Sequence, residues 1–82
     1  MYDLLFSDQA VKQIDKLSKE MQARVRVCLE RCRIRPYAYL KRLVGSPYCS
    51  LRVGGYRLII DVQDQQLRIL VLAIGHRKNV YK

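Results

Sequence analysis

Hydrophobic residues at the start of the chain form first a short run and then a helical repeat. Residues 1–6 (MYDLLF) are mostly apolar and predict a first strand that ends at Ser7. Ser7 has the side chain of a helix N-cap, and apolar residues then recur at helical spacing at Val11, Ile14 and Leu17. The pattern therefore predicts a strand followed directly by a helix.

A second, longer helix is predicted to begin after Ser18, the next residue with N-cap chemistry. Its apolar stripe, with Leu29 beside it, consists of Met21, Val25, Cys28 and Cys32. The opposite faces of the two helices carry a row of cations: Lys12, Lys16, Lys19, Arg24, Arg26, Arg31 and Arg33. This row either follows a phosphate backbone or is an ordinary solvated helix face, and for a helix alone the solvated face is favoured. Pro36 ends the helix, and residues 35–42 are predicted to form a connecting loop.

From Tyr48 onward the pattern changes to the alternation of strands. The segments YCSLRV and YRLIIDV flank Gly54-Gly55, a pair that suits a two-residue hairpin turn. A polar QDQQ loop then leads to LRILVLAI, which gives three antiparallel strands in a meander. Together with the first strand and the helix pair, this predicts a single α+β domain over residues 1–82, with the helices packed on one face of the sheet.

The Gly-Gly turn also predicts the register of the hairpin. Val53 should face Tyr56, and Arg52 should face Arg57. One sheet face then forms a core from Cys49, Leu51, Val53, Tyr56, Leu58 and Ile60. The other face carries Tyr48, Ser50, Arg52, Arg57, Ile59 and Asp61. Like charges opposite each other destabilise a sheet, so the arginine pair is a phosphate clamp, or two surface side chains, or is paired with Asp61.

The third strand is expected to complete a site on the arginine face. With Val62 opposite Leu67, Arg68 faces Asp61 as an ion pair, and the arginine face gains an apolar floor from Leu70, Leu72 and Ile74. The strand then ends in GHRKNVYK, which brings His76, Arg77 and Tyr81 toward Arg52 and Arg57. We therefore expect cations, one imidazole and one phenol to converge on a single open sheet face.

Composition narrows the class of partner. The chain has 82 residues, and its 16 Lys and Arg against 7 Asp and Glu give a formal net charge of +9. Such a balance favours a polyanion: nucleic acid, an anionic membrane or an acidic protein. The longest apolar run, residues 69–74, is far shorter than the about 20 residues of a spanning helix. No signal-peptide pattern opens the chain, so a cytoplasmic location is expected.

Metal and nucleotide cofactors are not expected. The three cysteines, Cys28, Cys32 and Cys49, lack the spacing of a zinc site or a disulfide framework, and they are interpreted as reduced core residues. There is no carboxylate cluster for Mg²⁺ and no phosphate-binding Gly-Lys-Ser/Thr loop.

The remaining chemistry fits cleavage of RNA without a metal. His76 is the natural candidate for a general base or acid, and Tyr81 would donate or accept a proton or stack on a base. Arg57 and Arg77 would hold the scissile phosphate and stabilise its developing charge. The further candidate contacts to RNA or phosphate are Arg52, Tyr48, Lys78 and Lys82.

In order and spacing, the chain resembles the RelE branch of the RelE/ParE toxin superfamily. The residues that carry the resemblance are GGYRLIIDV followed by GHRKNVY, in a basic chain of this length. The resemblance implies a toxin of a type II toxin–antitoxin system that cuts mRNA in the ribosomal A site by attack of a 2′-hydroxyl, without a metal. It also implies inhibition by a RelB-like antitoxin that wraps the toxin. By position, Arg57, Arg77 and Tyr81 match the family's functional residues.

The sequence also departs from that pattern. RelE toxins of enteric bacteria have two lysines where this chain has Tyr48 and Ser50, and a lysine where His76 stands. His76 is therefore expected to take over the role of base. Two other functions compete with the nuclease: a ParE-like toxin, which would inhibit DNA gyrase, and a basic RNA-binding protein without catalysis.

Overall fold

The computed structural model of the chain describes residues 1–76, which form three helices and five strands. In chain order these are β1 (Asp3–Phe6), α1 (Asp8–Asp15), α2 (Lys19–Ile34), α3 (Pro36–Tyr39), β2 (Lys41–Arg42), β3 (Cys49–Val53), β4 (Tyr56–Gln63) and β5 (Arg68–His76). The strands form one sheet in the order β1-β5-β4-β3-β2, in which β1 runs parallel to β5 and the other neighbours are antiparallel. The predicted α+β class is confirmed.

Both predicted helix starts are confirmed by their capping bonds. The Ser7 hydroxyl accepts a hydrogen bond from the Ala10 N–H at 3.1 Å, and the Ser18 hydroxyl accepts one from the Met21 N–H at 3.1 Å. Each cap satisfies an N–H that the first helical turn leaves without a helical partner, and such a cap contributes about 1 kcal/mol. The two serines therefore set where α1 and α2 begin.

The core lies between α1, α2 and one face of the sheet. The predicted stripe of α2 faces the core. Its members Val25 and Cys32, and Leu29 beside them, are buried, and its members Met21 and Cys28 are half-buried and pack against the core. The sheet contributes the predicted core face of the hairpin together with residues of β5; the most deeply buried members are Leu58, Ile60, Ile69 and Val71. The helices α1 and α2 cover this face, as the sequence predicts, and they leave the arginine face open.

The predicted loop over residues 35–42 is wrong, because part of it is regular structure. Pro36 ends α2 as predicted but also opens α3, since its fixed φ suits the first position of a helix. Directly afterwards, Lys41 and Arg42 pair with Ser50 and Cys49 as the edge strand β2. A helix of four residues and a strand of two are too short for hydrophobic periodicity to reveal them.

The predicted register of the third strand is also wrong. The turn occupies residues 64–67, with Leu67 at φ 53°, so that Gln63 faces Arg68 and Asp61 faces Leu70. The expected ion pair between Arg68 and Asp61 is therefore not formed. The sequence pattern predicts the loop one residue too early, at residues 63–66, because an apolar leucine does not signal a turn position with positive φ.

A β-bulge in β5 then changes which side chains share a face. Ile60 pairs with Val71, but Ile59 pairs with Ala73, so Leu72 is the extra residue of the bulged strand. Beyond the bulge the alternation is reversed, and Ile74 lies in the core at 3% exposure rather than on the arginine face. Leu70 is on the arginine face as predicted, but Ile74 is not.

Candidate functional site: a cationic cleft on the open sheet face

The open face of the sheet carries a cleft of about 450 Å³ beside the β3–β4 hairpin. Four cations line it: Lys41 and Arg42 from β2, Arg52 from β3 and Arg57 from β4. The rest of the lining is provided by Tyr39, Leu43, Val44 and Ser50. No carboxylate belongs to this lining, and the volume lies within the range of small-ligand clefts. The charge of this lining therefore favours an anion as a ligand.

The two arginines of the cleft stand side by side, as the sequence predicts. Arg52 pairs directly with Arg57 in the register between β3 and β4, and Val53 pairs with Tyr56 at the turn. Both line the cleft, and Arg52 is exposed, whereas Arg57 is half-buried. Their guanidinium groups repel each other in the free protein, and a phosphate that accepts hydrogen bonds from both reverses that repulsion. This favours the clamp over two unrelated surface arginines.

The turn that fixes this pair depends on Gly54. Its φ is +59°, and a Cβ at that position would lie 3.2 Å from both Met21 Cε and Arg24 Nη1 of α2. Glycine meets both the left-handed backbone and the close approach of the helix. The hairpin, and with it the arginine register, is therefore held against α2.

His76 does not join the arginines, and the predicted convergence on one face is wrong at this residue. It pairs with Tyr56 on the core face of the hairpin, where the two rings meet edge to face with centroids 6.0 Å apart. Gly75 is the residue opposite Arg57. The cause is the bulge at Leu72, because the extra residue moves every later side chain of β5 to the other face.

The remaining predicted site residues are distributed as follows. Tyr48 is exposed just before β3, next to the cleft but not among its lining residues. Four members of the predicted site, namely Arg77, Lys78, Tyr81 and Lys82, lie outside the described residues. Their roles stay predictions.

Sequence reasoning missed one wall of the cleft. The sequence pattern predicts a loop for this wall, which contains Tyr39, Lys41 and Arg42. In the structure, Lys41 and Arg42 form β2 and pair with β3, and Tyr39 belongs to α3. The signal that was available is the Lys-Arg pair followed by a glycine–serine–proline turn and then the first predicted strand of the hairpin. A short edge strand rich in cations is a common form of protected sheet edge.

Asp64 joins the turn between β4 and β5 to this wall. Its carboxylate accepts hydrogen bonds from the Tyr37 hydroxyl at 2.6 Å and from the Tyr2 hydroxyl at 2.8 Å. These bonds lower the pKa of Asp64, and the bond to the carboxylate raises the pKa of Tyr37 to about 12. Because Tyr37 belongs to α3, the pair of bonds ties α3 to the sheet. We call this group of three side chains the Asp64 clip.

The cysteines behave as core residues. Burial raises the pKa of Cys32 to about 11 and also raises that of Cys49, so neither thiol is activated as a nucleophile. Within residues 1–76, no group of three His, Cys, Asp or Glu side chains is arranged to hold a metal ion. None of the described helices is long and apolar enough to cross a membrane.

Comparison with known proteins places this geometry in a family. Residues 4–81 match the model of the ParE toxin of type II toxin–antitoxin systems, parDE. The chain belongs to this toxin family. It is 35% identical over 80 residues to a RelE-like toxin protein of Escherichia coli, an alignment that covers 94% of the chain and 84% of the relative. It is 30% identical, with the same coverage, to the mRNA interferase toxin RelE of Escherichia coli K12.

Solved structures agree with that assignment. The toxin chain in the crystal structure of the intact Escherichia coli RelBE toxin–antitoxin complex is similar with a TM-score of 0.81 and 28% identity, over 93% of this chain and 96% of the other. The strand, helix pair and antiparallel sheet described above therefore form a RelE-like fold. The protein is a toxin of a type II toxin–antitoxin system.

Proposed function

We propose that this toxin is a ribosome-dependent mRNA endonuclease and that the cationic cleft holds the phosphate at which the message is cut. The observation that carries the proposal is the directly paired Arg52 and Arg57 in a cleft lined by two further cations, Lys41 and Arg42. The similarity to a relative that is named mRNA interferase supports the same activity.

The proposed reaction is internal transesterification of the RNA backbone. The 2′-oxygen forms a bond to phosphorus as its proton passes to a base, and the bond from phosphorus to the 5′-oxygen breaks as that oxygen takes a proton from an acid. The products are a 2′,3′-cyclic phosphate and a 5′-hydroxyl. No metal takes part in this scheme, because arginine cations stabilise the additional charge on the phosphate oxygens.

The structure supports different roles for the proposed residues. Half-buried Arg57 is proposed to contact the scissile phosphate, and exposed Arg52 is proposed to contact a neighbouring phosphate or the same one. Arg77 and Tyr81 stay proposed as phosphate contact and proton donor. Because His76 lies on the core face of the hairpin, it is not placed to accept a proton at a phosphate held by Arg57.

The proposal includes a RelB-like antitoxin as the inhibitory partner, and the cytoplasm, where ribosomes are found, as the location. The support for the antitoxin is the similarity to a toxin that was solved as a RelBE toxin–antitoxin complex. The charge of +9 fits both an acidic protein partner and RNA.

Purified toxin added to ribosomes with a labelled message in the A site tests the activity and its chemistry together. We expect cleavage within the A-site codon, with a 5′-hydroxyl on the downstream fragment that polynucleotide kinase labels without prior dephosphorylation. Fragments with a 5′-phosphate would contradict 2′-hydroxyl attack. An intact message together with inhibition of DNA gyrase in a supercoiling assay would instead favour the ParE-type function.

A further inference from the structure

Tyr39 is an exposed aromatic residue of the cationic cleft. It lines the cleft together with Lys41, Arg52 and Arg57, and its side chain is 50% exposed. Among residues 1–76, no hydrogen bond to its hydroxyl is formed, whereas the hydroxyls of Tyr2 and Tyr37 are both bound to Asp64. Unlike Tyr2 and Tyr37, Tyr39 is therefore not held by a hydrogen bond of its hydroxyl within the described residues.

The helix that carries Tyr39 is held firmly on its other sides. Pro36 and Leu40, at the two ends of α3, are buried in the core, and the Leu40 N–H donates to the Pro36 carbonyl at 2.9 Å. Tyr37 is bound by the Asp64 clip at 2.6 Å. Three residues of this short segment are thus anchored, which leaves Tyr39 presented to the cleft at low cost in conformational entropy.

We propose that Tyr39 stacks on an unpaired base whose phosphate is held by Arg52 and Arg57, so that the cleft selects single-stranded RNA. The inference rests on the proposed function and adds a base-binding residue to it. An exposed aromatic ring beside a cationic groove is the arrangement by which proteins bind unpaired bases, because every base offers a face to the ring. A base inside a duplex is already stacked on its neighbours and does not offer that face.

The test uses the full chain and a 12-nucleotide 2′-O-methyl RNA, which 2′-hydroxyl attack cannot cut. Affinity is measured by fluorescence anisotropy at low salt for this RNA and for an oligonucleotide with the same backbone but abasic positions. We expect Tyr39→Leu to weaken binding of the base-bearing RNA by about 5- to 150-fold, which corresponds to the ~1–3 kcal/mol of one base stack. We expect no change for the abasic strand, and we expect Tyr39→Phe to bind like the unaltered protein.

Three outcomes would overturn this inference. They are equal losses for the base-bearing and abasic strands, no loss with Tyr39→Leu, and failure of the unaltered protein to prefer the base-bearing strand. Circular dichroism and urea unfolding of the variants identify any loss due to misfolding, and Tyr39→Ser, which also lacks the ring, replaces Tyr39→Leu if that variant is unstable. If the stacking result is obtained but no message is cut on the ribosome, the proposed function fails and the inference stands.

Discussion

At the scale of single residues, the two neighbouring arginines have opposite effects: their charges lower the stability of the free hairpin and favour the binding of an anion. Arg52 and Arg57 are direct neighbours across the hairpin, and like charges at such positions destabilise a sheet. Nothing in the core requires Arg52, since its side chain is exposed on the open face. Its presence is therefore better explained by the ligand than by the fold.

Replacement of Arg52 by glutamine is expected to leave the fold as stable as before or to raise its free energy of unfolding by about 0.2–0.5 kcal/mol, since the like-charge contact is removed. The same change should weaken RNA binding. Urea unfolding and oligonucleotide binding measure the two effects. A matched control is Arg68→Gln, at the far end of the sheet, seven residues before the partner of Arg57 in β5. A loss of stability above about 1 kcal/mol for Arg52→Gln would contradict this account.

The roles of Arg57 and His76 are separated by comparison of their alanine variants. We expect Arg57→Ala to lower the rate of cleavage on the ribosome by about 10²–10³-fold, as for loss of a donor that stabilises developing charge. Because His76 lies on the other face, His76→Ala is expected to cost less than the about 10²-fold that loss of a general base or acid brings. Single-turnover cleavage rates test both. A loss of 10²-fold or more for His76→Ala would restore the histidine to the reaction.

At the scale of the elements, the sequence predicted the parts with strong local signals. The caps at Ser7 and Ser18 and the register around Gly54-Gly55 are confirmed, because each depends on side chains or backbone preferences within a few residues. What failed depends on the rest of the fold. The bulge at Leu72 forms where β5 leaves β1, and α1 then covers its edge: the Gln13 side-chain oxygen accepts a hydrogen bond from the Ile74 N–H at 2.8 Å.

The candidate site was predicted in the same uneven way. The pairing of Arg52 with Arg57 follows from the position of the hairpin turn alone, so the sequence is sufficient to predict it. The cations of β2 could not, because a strand of two residues exists only through its pairing with β3. The position of His76 depends on the bulge, and no single residue in LRILVLAI marks where the extra position falls.

The Asp64 clip makes the attachment of α3 dependent on pH. The hydrogen bonds from Tyr37 and Tyr2 lower the pKa of Asp64 below its ordinary 3.8, so their contribution is present above that value and is lost as the pH falls through the lower folded pKa. The raised pKa of Tyr37 keeps its hydroxyl protonated until well above pH 10, toward about 12.

We expect Tyr37→Phe to lower the free energy of unfolding at pH 7 and to have a smaller effect at pH 2.5, because the hydrogen bond to the Asp64 carboxylate is lost as the pH falls through its lowered pKa. Urea unfolding of both proteins at the two pH values measures the difference. Tyr39→Phe serves as the control, since it removes a hydroxyl from the same helix without touching the clip. An effect of Tyr37→Phe that is equal at both pH values would show that the carboxylate does not hold α3.

At the scale of the whole molecule, the net charge of +9 predicts that association with RNA is driven by release of counterions. The cleft concentrates part of this charge, with four cations and no acid in its lining. The exposed cations of α1 and α2 lie on the helices that cover the opposite face of the sheet. We therefore expect the specific contacts to RNA to be made by the cleft, and we expect the helix cations to attract RNA without contacting it at fixed positions.

The dependence of RNA affinity on salt tests that assignment. For single strands, each contact to a phosphate contributes about 0.7 to the slope of log K against log salt. Removal of one cleft cation, by Lys41→Gln or Arg52→Gln, is expected to lower the slope by about 0.7. Removal of a helix cation of equal charge, by Arg31→Gln, should change it much less. Equal changes for all three variants would mean that the cleft is not the site of binding.

Cleavage of a translated message in the cell tests the central claim most directly. The toxin is induced together with a reporter mRNA, or with the same mRNA whose start codon has been removed, and cut sites are mapped by primer extension. We expect cuts within codons of the translated message and none in the untranslated one. When the Arg57→Ala variant is induced in place of the unaltered toxin, we expect no cuts in either message. Equal cleavage of both messages, or full cleavage by the Arg57→Ala variant, would contradict a ribosome-dependent nuclease that acts through this cleft.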